Sequence, residues 1–165
     1  MSDTNAANNA PPPAPIRFLG QYVRDLSLEV PHAPGIFGEM RKRAPEIPIT
    51  FDCAMQHLSG SIFEVTLNVT VNATLGDKPA FILELSYGAT VEVDESLIPA
   101  EQLHAVLLIE IPRFLFPFVR QILSDMTTNG GFPPLLLQPV DFADLYTRKF
   151  GTDPVRVMRS SAQTA

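Results

Sequence analysis

The sequence predicts an α+β domain, a four-stranded antiparallel sheet with helices packed on one face. Three observations carry that prediction. Four segments in the first 91 residues alternate apolar and polar side chains with period two, the pattern of half-buried strands. The last two are joined by Leu75-Gly76-Asp77-Lys78, short enough for a hairpin, which favours antiparallel pairing throughout. Beyond Pro99 the apolar spacing becomes helical.

Residues 1–15 (MSDTNAANNAPPPAP) are small, polar and proline-rich, and bury too little apolar area to offset the entropy of ordering, so a disordered tail is expected there. The domain proper is expected over residues 16–150, with a second flexible tail over 151–165. The first strand, about Ile16 to Val30, sets Leu26, Leu28 and Val30 against Asp25, Ser27 and Glu29. The second, Glu46 to Met55, sets Ile47, Ile49, Phe51 and Cys53 against Glu46, Pro48, Thr50 and Asp52. The third has the cleanest alternation, with Phe63, Val65, Leu67, Val69 and Val71 opposite Glu64, Thr66, Asn68, Thr70 and Asn72. The fourth, Ala80 to Val91, places Phe81, Leu83, Leu85 and Tyr87 opposite Ile82, Glu84 and Ser86. One sheet face is therefore apolar, and the other gathers Asp25, Glu29, Glu46, Asp52, Glu64 and Glu84, with Ile82 as the apolar exception among them.

Two helices are expected after Pro99: Ala100 to about Glu110, then Pro112 to about Thr128, opened by a proline and kinked near its start by Pro117. Along the second, Leu115, Val119, Ile122 and Met126 follow helical spacing, while Phe114, Phe116, Phe118 and Leu123 widen the apolar surface nearly all round. One sheet cannot cover both sides, so either a second helix layer or another subunit is expected there, with an oligomer interface the favoured reading. Gly130 and Gly131 end the helix, and Pro133, Pro134 and Pro139 hold Phe132 to Val140 as a stiff, apolar, extended arm. That arm is suited to form the wall of a hydrophobic groove. Asp141 caps a last helix ending at Phe150, with Gly151 as its stop.

A chain of 165 residues with 45% hydrophobic content suits one globular domain, which at this size buries roughly 70% of its unfolded surface. A net charge of −6 disfavours nucleic acid as a partner. Arg41-Lys42-Arg43, between Pro34-Gly35 and Pro45, reads as a solvated loop. Cys53 stands alone, which rules out an internal disulfide and any multi-cysteine zinc site, and suits a small buried apolar residue. Without a long apolar span or a leader-like start, a cytoplasmic protein is expected.

No catalytic constellation is visible. His32, His57 and His104 fall on a loop, a strand end and a helix, without metal-ligand spacing. No phosphate loop or nucleophile elbow occurs, and the carboxylates lie on a wet sheet face without the sheltered pocket that acid–base chemistry needs. The chain reads as a binding protein, with no enzyme activity, cofactor or metal expected.

Several stretches then resemble one family, SecB, the bacterial chaperone of protein export. They are Tyr22-Val23-Arg24-Asp25-Leu26-Ser27-Leu28-Glu29-Val30-Pro31-His32-Ala33-Pro34, Val69-Thr70-Val71-Asn72-Ala73-Thr74-Leu75-Gly76, Leu115-Phe116-Pro117-Phe118-Val119-Arg120, and the Gly-Phe-Pro-Pro arm through Leu145-Tyr146. They keep the family's order across about Ile16 to Phe150. The resemblance implies a homotetramer, a dimer of dimers, that holds preproteins unfolded without ATP and passes them to the SecA motor. It implies SecA docking on the acidic face at Asp25, Glu29, Ile82 and Glu84, and a client groove walled by Phe37, Met40, Phe132, Leu135 and Leu137. Such a groove takes any extended apolar segment, at ~25 cal/mol per Å² removed from water, without reading its sequence. Rival readings are a SecB-like chaperone dedicated to a toxin–antitoxin pair and, in a different class, a small-molecule carrier using the apolar sheet face as a pocket.

Overall fold

The computed structural model describes residues 13–151. Four strands, β1 (Ile16–Glu29), β2 (Ile49–Ser59), β3 (Ile62–Leu75) and β4 (Lys78–Val93), form one antiparallel sheet in the order β1-β4-β3-β2. Both hairpins turn on glycines at positive φ, Gly60 at 52° and Gly76 at 64°, backbone that a β-carbon would strain. Three helices complete the domain: α1 (Gly35–Met40), α2 (Ala100–Asn129) and α3 (Phe142–Phe150). The expected tails lie outside the described residues, apart from residues 13–15 and 151.

The core is the seam between the sheet and α2. Val65, Leu67, Val71, Leu83, Ala89 and Val91 are fully buried beneath Leu107, Ile111, Leu115, Val119 and Leu123. The four-residue steps from Leu107 to Ile111, Leu115, Val119 and Leu123 keep one helical stripe on the sheet for about 24 Å. Side chains of α2 thus fill the part of the apolar sheet face that the carrier reading would need as a closed pocket.

That stripe also corrects the helix boundaries. The two expected helices are one, continuous through Pro112 and Pro117. An interior proline costs a helix about 3 kcal/mol, whereas each buried Leu or Ile of the stripe contributes about 1.5–3 kcal/mol, so packing on the sheet overrides two local breaks. Strand β2 is displaced as well: Glu46 joins the sheet only through an isolated bridge to Thr74, and Ile47 is exposed. Pro48, with no N–H to donate, interrupts the ladder before Ile49. Helix α1 was not expected at all. It is six residues long and anchored by one fully buried side chain, Ile36, too little to leave a periodic signal. Arg41-Lys42-Arg43 follows it as an exposed turn.

Helix α3 starts where expected, with the Asp141 carboxylate accepting from the Asp144 N–H at 3.0 Å. It docks on α2 through aromatic contacts: His104 Nδ1 lies 2.8 Å from Tyr146 Oη, the Phe150 ring stands edge-on to His104 at 4.9 Å, and Phe142 meets Phe116 at 5.9 Å. Lys149 donates to the Asp52 carboxylate and to the Cys53 carbonyl, tying α3 to the edge of β2. Beneath it, burial pushes the Cys53 thiol up to about 12, so Cys53 acts as a small apolar residue.

Burial, and secondarily the Lys149 charge, hold His104 below its ordinary value of 6.5. Below pH 6.5 the unfolded chain therefore binds the His104 proton before the folded chain does. The stabilisation is complete above 6.5 and is lost as pH falls through the depressed folded value. Between about pH 7.5 and pH 5.5 the thermal midpoint of the wild-type protein should fall more than that of His104→Gln. Equal falls would show that His104 does not couple α3 docking to pH.

Candidate functional site

Strand pairing decides which carboxylates share a neighbourhood. Glu29 stands opposite Ile82, Ser27 opposite Glu84, and Asp25 opposite Ser86 on the β1–β4 ladder. Glu84 is thereby the diagonal neighbour of both Asp25 and Glu29, with side chains roughly 5–8 Å apart. All three carboxylates are exposed, Ile82 is half-buried beside them, and none of the three is ion-paired among the described residues. The other acids of this face are dispersed or engaged. Glu64 accepts from Arg24 at 2.8 Å and from the Tyr22 hydroxyl, Asp52 is held by Lys149, and Glu46 sits at the far bridge to Thr74. The six-carboxylate face thus resolves into one unengaged triad around an aliphatic side chain at the sheet edge. Acceptor-only and negatively charged, it suits a cationic partner segment with one apolar contact.

On the opposite face, the arm after α2 is fastened at defined points. Thr127 Oγ1 donates to the Leu123 carbonyl and accepts from the Leu135 N–H at 2.9 Å, and the Phe132 N–H donates to the Thr127 carbonyl at 3.0 Å. Gly131, at φ 88°, turns the arm beneath α1, where a β-carbon would meet the Phe37 ring at 3.2 Å. Phe37, Met40, Arg41, Gly131 and Pro133 surround an open recess of about 490 Å³.

This arrangement corrects part of the expected groove wall. Phe132, 5% exposed, is inserted between Phe81 at 4.6 Å and Phe37 at 5.2 Å, and Leu137 is 2% exposed. Both belong to the core. They set the arm's position and are not open wall. Phe37 and Met40 do line the recess, and Leu135 is half-buried on its arm. Leu136, 62% exposed, went unpredicted, although its place between Leu135 and Leu137 in extended backbone already turns it outward. Arg41 was likewise missed as a lining residue, because α1, which carries it to the recess, left no sequence signal.

The interface stripe on the long helix is corrected in the same way. Leu115 and Val119 are fully buried against the sheet, and Ile122 and Met126 are half-buried against the core. The side left open is that of Phe114 and Phe118, 60% and 47% exposed. Phe114 packs edge-on to Phe18 at 5.7 Å, and Phe118 stacks on Tyr87 at 6.0 Å. They stand above edge strand β1, where Leu19, Tyr22 and Val23 are also exposed. A second apolar recess of about 450 Å³, lined by Ile16, Phe18, Leu97, Val106 and Phe114 among others, continues this patch.

Among the described residues, no group of three or more His, Cys, Asp or Glu is placed to hold a metal ion, and no helix is long and apolar enough to cross a membrane.

Comparison with known proteins agrees with this architecture. A family model described as preprotein translocase subunit SecB matches residues 8–152. The protein-export protein SecB of Paramagnetospirillum magneticum is 50% identical over 126 residues, covering 76% of this chain and 79% of that protein. That of Rhodospirillum rubrum is 46% identical over 149 residues, 90% of each. Among solved structures, a SecB-like chaperone of Mycobacterium tuberculosis in complex with a peptide from the HigA1 antitoxin superposes with a TM-score of 0.64 at 17% identity. It covers 76% of this chain and 90% of its own, and shows the shared fold. With the family match spanning the whole described domain, the chain belongs to the SecB family of protein-export chaperones.

Proposed function

We propose that this chaperone works as a cytoplasmic homotetramer that holds preproteins unfolded without ATP and delivers them to SecA. The observation that carries the reading is the division of labour between the two sheet faces. An open apolar recess lies on the helix side, between α1 and the arm, and an unengaged carboxylate triad lies on the other side. A client and a docked motor occupy opposite sides of one sheet, so transfer needs no prior release. Phe37, Met40, Leu135 and Leu136 offer the client apolar surface, with Phe132 and Leu137 beneath the arm as its support. Asp25, Glu29, Ile82 and Glu84 receive the cationic C-terminal segment of SecA. The export reading is favoured over the toxin–antitoxin one because the 50% and 46% identities are with export proteins.

Assembly as a dimer of dimers is supported by two uncovered surfaces. Strand β1 is a sheet edge with exposed Leu19, Tyr22 and Val23, ready to pair with a second copy. The Phe114–Phe118 side of α2 supplies the other contact, a patch of a kind that monomers seldom leave wet. Light scattering should give a tetramer that slows refolding of a preprotein in the absence of ATP. Phe114→Asp with Phe118→Asp should reduce it to a smaller species while leaving the fold intact, since neither side chain is buried. A stable wild-type monomer with no effect on refolding would defeat the proposal.

A further inference from the structure

We infer that Glu64 on β3 is a clamp for assembly: it grips Tyr22 and Arg24, and so holds the bulged middle of β1 in the shape with which a second copy pairs. The inference rests on β1 being the edge where two copies meet. A bulge breaks the ladder of an edge strand and twists the strand away, which is one way proteins keep such an edge from pairing. Strand β1 has two such breaks, one between Phe18 and Gly20 and one between Val23 and Asp25, and the exposed Tyr22 and Val23 lie in the stretch between them. Unrestrained, that stretch would resist a partner.

The restraint comes from the outer face of the sheet. Tyr22 stands opposite Gly88 on the β1–β4 ladder, and because Gly88 has no side chain the Tyr22 ring lies across β4, where a β-carbon would fall 2.8 Å from Cε2 and 3.1 Å from Cζ. The ring thereby reaches β3. Its hydroxyl donates to one oxygen of Glu64, and Arg24 Nη1 donates to the other at 2.8 Å. Tyr22 precedes the second break and Arg24 sits in it, so a single carboxylate two strands away fixes the bulge. The Glu64 side chain is only 13% exposed, against 53% for Arg24, which sets this contact apart from an ordinary surface pair. Burial, and then the bond to Glu64, raise the Tyr22 hydroxyl above its ordinary value of 10.0, so it remains a donor at physiological pH.

The clamp acts on the edge and not on the core. Tyr22, Arg24 and Glu64 lie on the face away from α2, so the stripe from Leu107 to Leu123 is untouched when they change. At a two-fold interface the same contact occurs once in each copy, and its loss counts twice. Removing one shielded hydrogen bond to a carboxylate should cost about threefold per copy, and so about tenfold in the affinity of the pair.

The test follows the full-length protein by sedimentation over a dilution series, with hydrogen exchange of the backbone amides as the second readout. Tyr22→Phe and Glu64→Gln should each raise the dissociation constant about tenfold, and the double variant should go no further than the weaker-binding single one, because both remove the same bond. Gly88→Ala, which displaces the ring without altering either partner, should weaken assembly as well. In all of them exchange should quicken over residues 20–25 and stay unchanged in β3. Variants that assemble like the wild type overturn the clamp while leaving the edge pairing standing. Faster exchange throughout the sheet also overturns it, since Glu64 would then hold the fold and not the edge. A monomeric wild-type protein, or an assembled one whose β1 amides gain no protection over the dissociated form, overturns the pairing and the clamp together.

Discussion

Replacing Asp25 and Glu84 together by lysine is expected to abolish SecA binding while leaving the ability to delay preprotein refolding unchanged. The two positions are diagonal neighbours on the β1–β4 ladder, both exposed and neither ion-paired among the described residues. The substitution therefore turns a three-carboxylate cluster into one with two cations and one anion without breaking an internal contact. Each reversed charge facing a cationic partner segment should cost at least about tenfold in affinity, and the pair about a hundredfold or more. Client binding is spared because the recess lies on the opposite side of the sheet, walled by Phe37, Met40 and the arm. Reversal at Glu64 is the informative control. That carboxylate shares the face but is held by Arg24 and Tyr22, so its loss disturbs the fold locally and SecA binding less. SecA affinity that survives the double reversal at moderate salt would remove the docking assignment, and loss of refolding delay alongside it would show that the two faces do not act separately.

How far the sequence foretold these surfaces differs by element, and the reasons are physical. Side-chain alternation has a period of two, so one correct assignment fixes a whole strand. Placing Leu83 and Leu85 inward at once put Glu84 outward, and the ladder then brought Asp25 and Glu29 beside it. The strand pattern did not say which carboxylates were already engaged, because the partners of Glu64 and Asp52, Arg24 and Lys149, lie 40 and 97 residues away. Helix α2 was divided at Pro112 because proline acts locally, whereas the packing that carries the helix through it is tertiary. Its buried stripe was misassigned for a related cause. Leu115 and Val119 have the spacing of an interface, and only the position of the sheet decides that they face inward and that Phe114 and Phe118 face out. Helix α1 and the lining role of Arg41 left no trace, since six residues with one buried side chain carry no period.

On the arm, support and the proposed client surface fall to different residues, and Phe132→Ala and Leu136→Ala should separate the two. Phe132 is held between the rings of Phe37 and Phe81, and it links α1 and the arm to β4. Truncating it leaves a cavity that only those neighbours can fill, and should cost about 3–5 kcal/mol in urea unfolding. That is a large share of a domain's total of about 5–15 kcal/mol, and corresponds to a fall in thermal midpoint on the order of ten degrees. Because Phe37 also lines the recess, its wall loosens and the delay of client refolding weakens with it. Leu136, four residues along and 62% exposed, has no comparable enclosure. Its truncation should change stability by less than about 0.5 kcal/mol, yet remove apolar surface that a client would cover. The leucine variant should therefore fold like the wild type and hold clients less well, whereas the phenylalanine variant loses stability first. A Phe132→Ala protein as stable as the wild type would mean that the arm is not fastened through that ring. A Leu136→Ala protein with undiminished client holding would mean that the arm's outward side does not meet the client, and the groove would then be confined to α1 and Pro133.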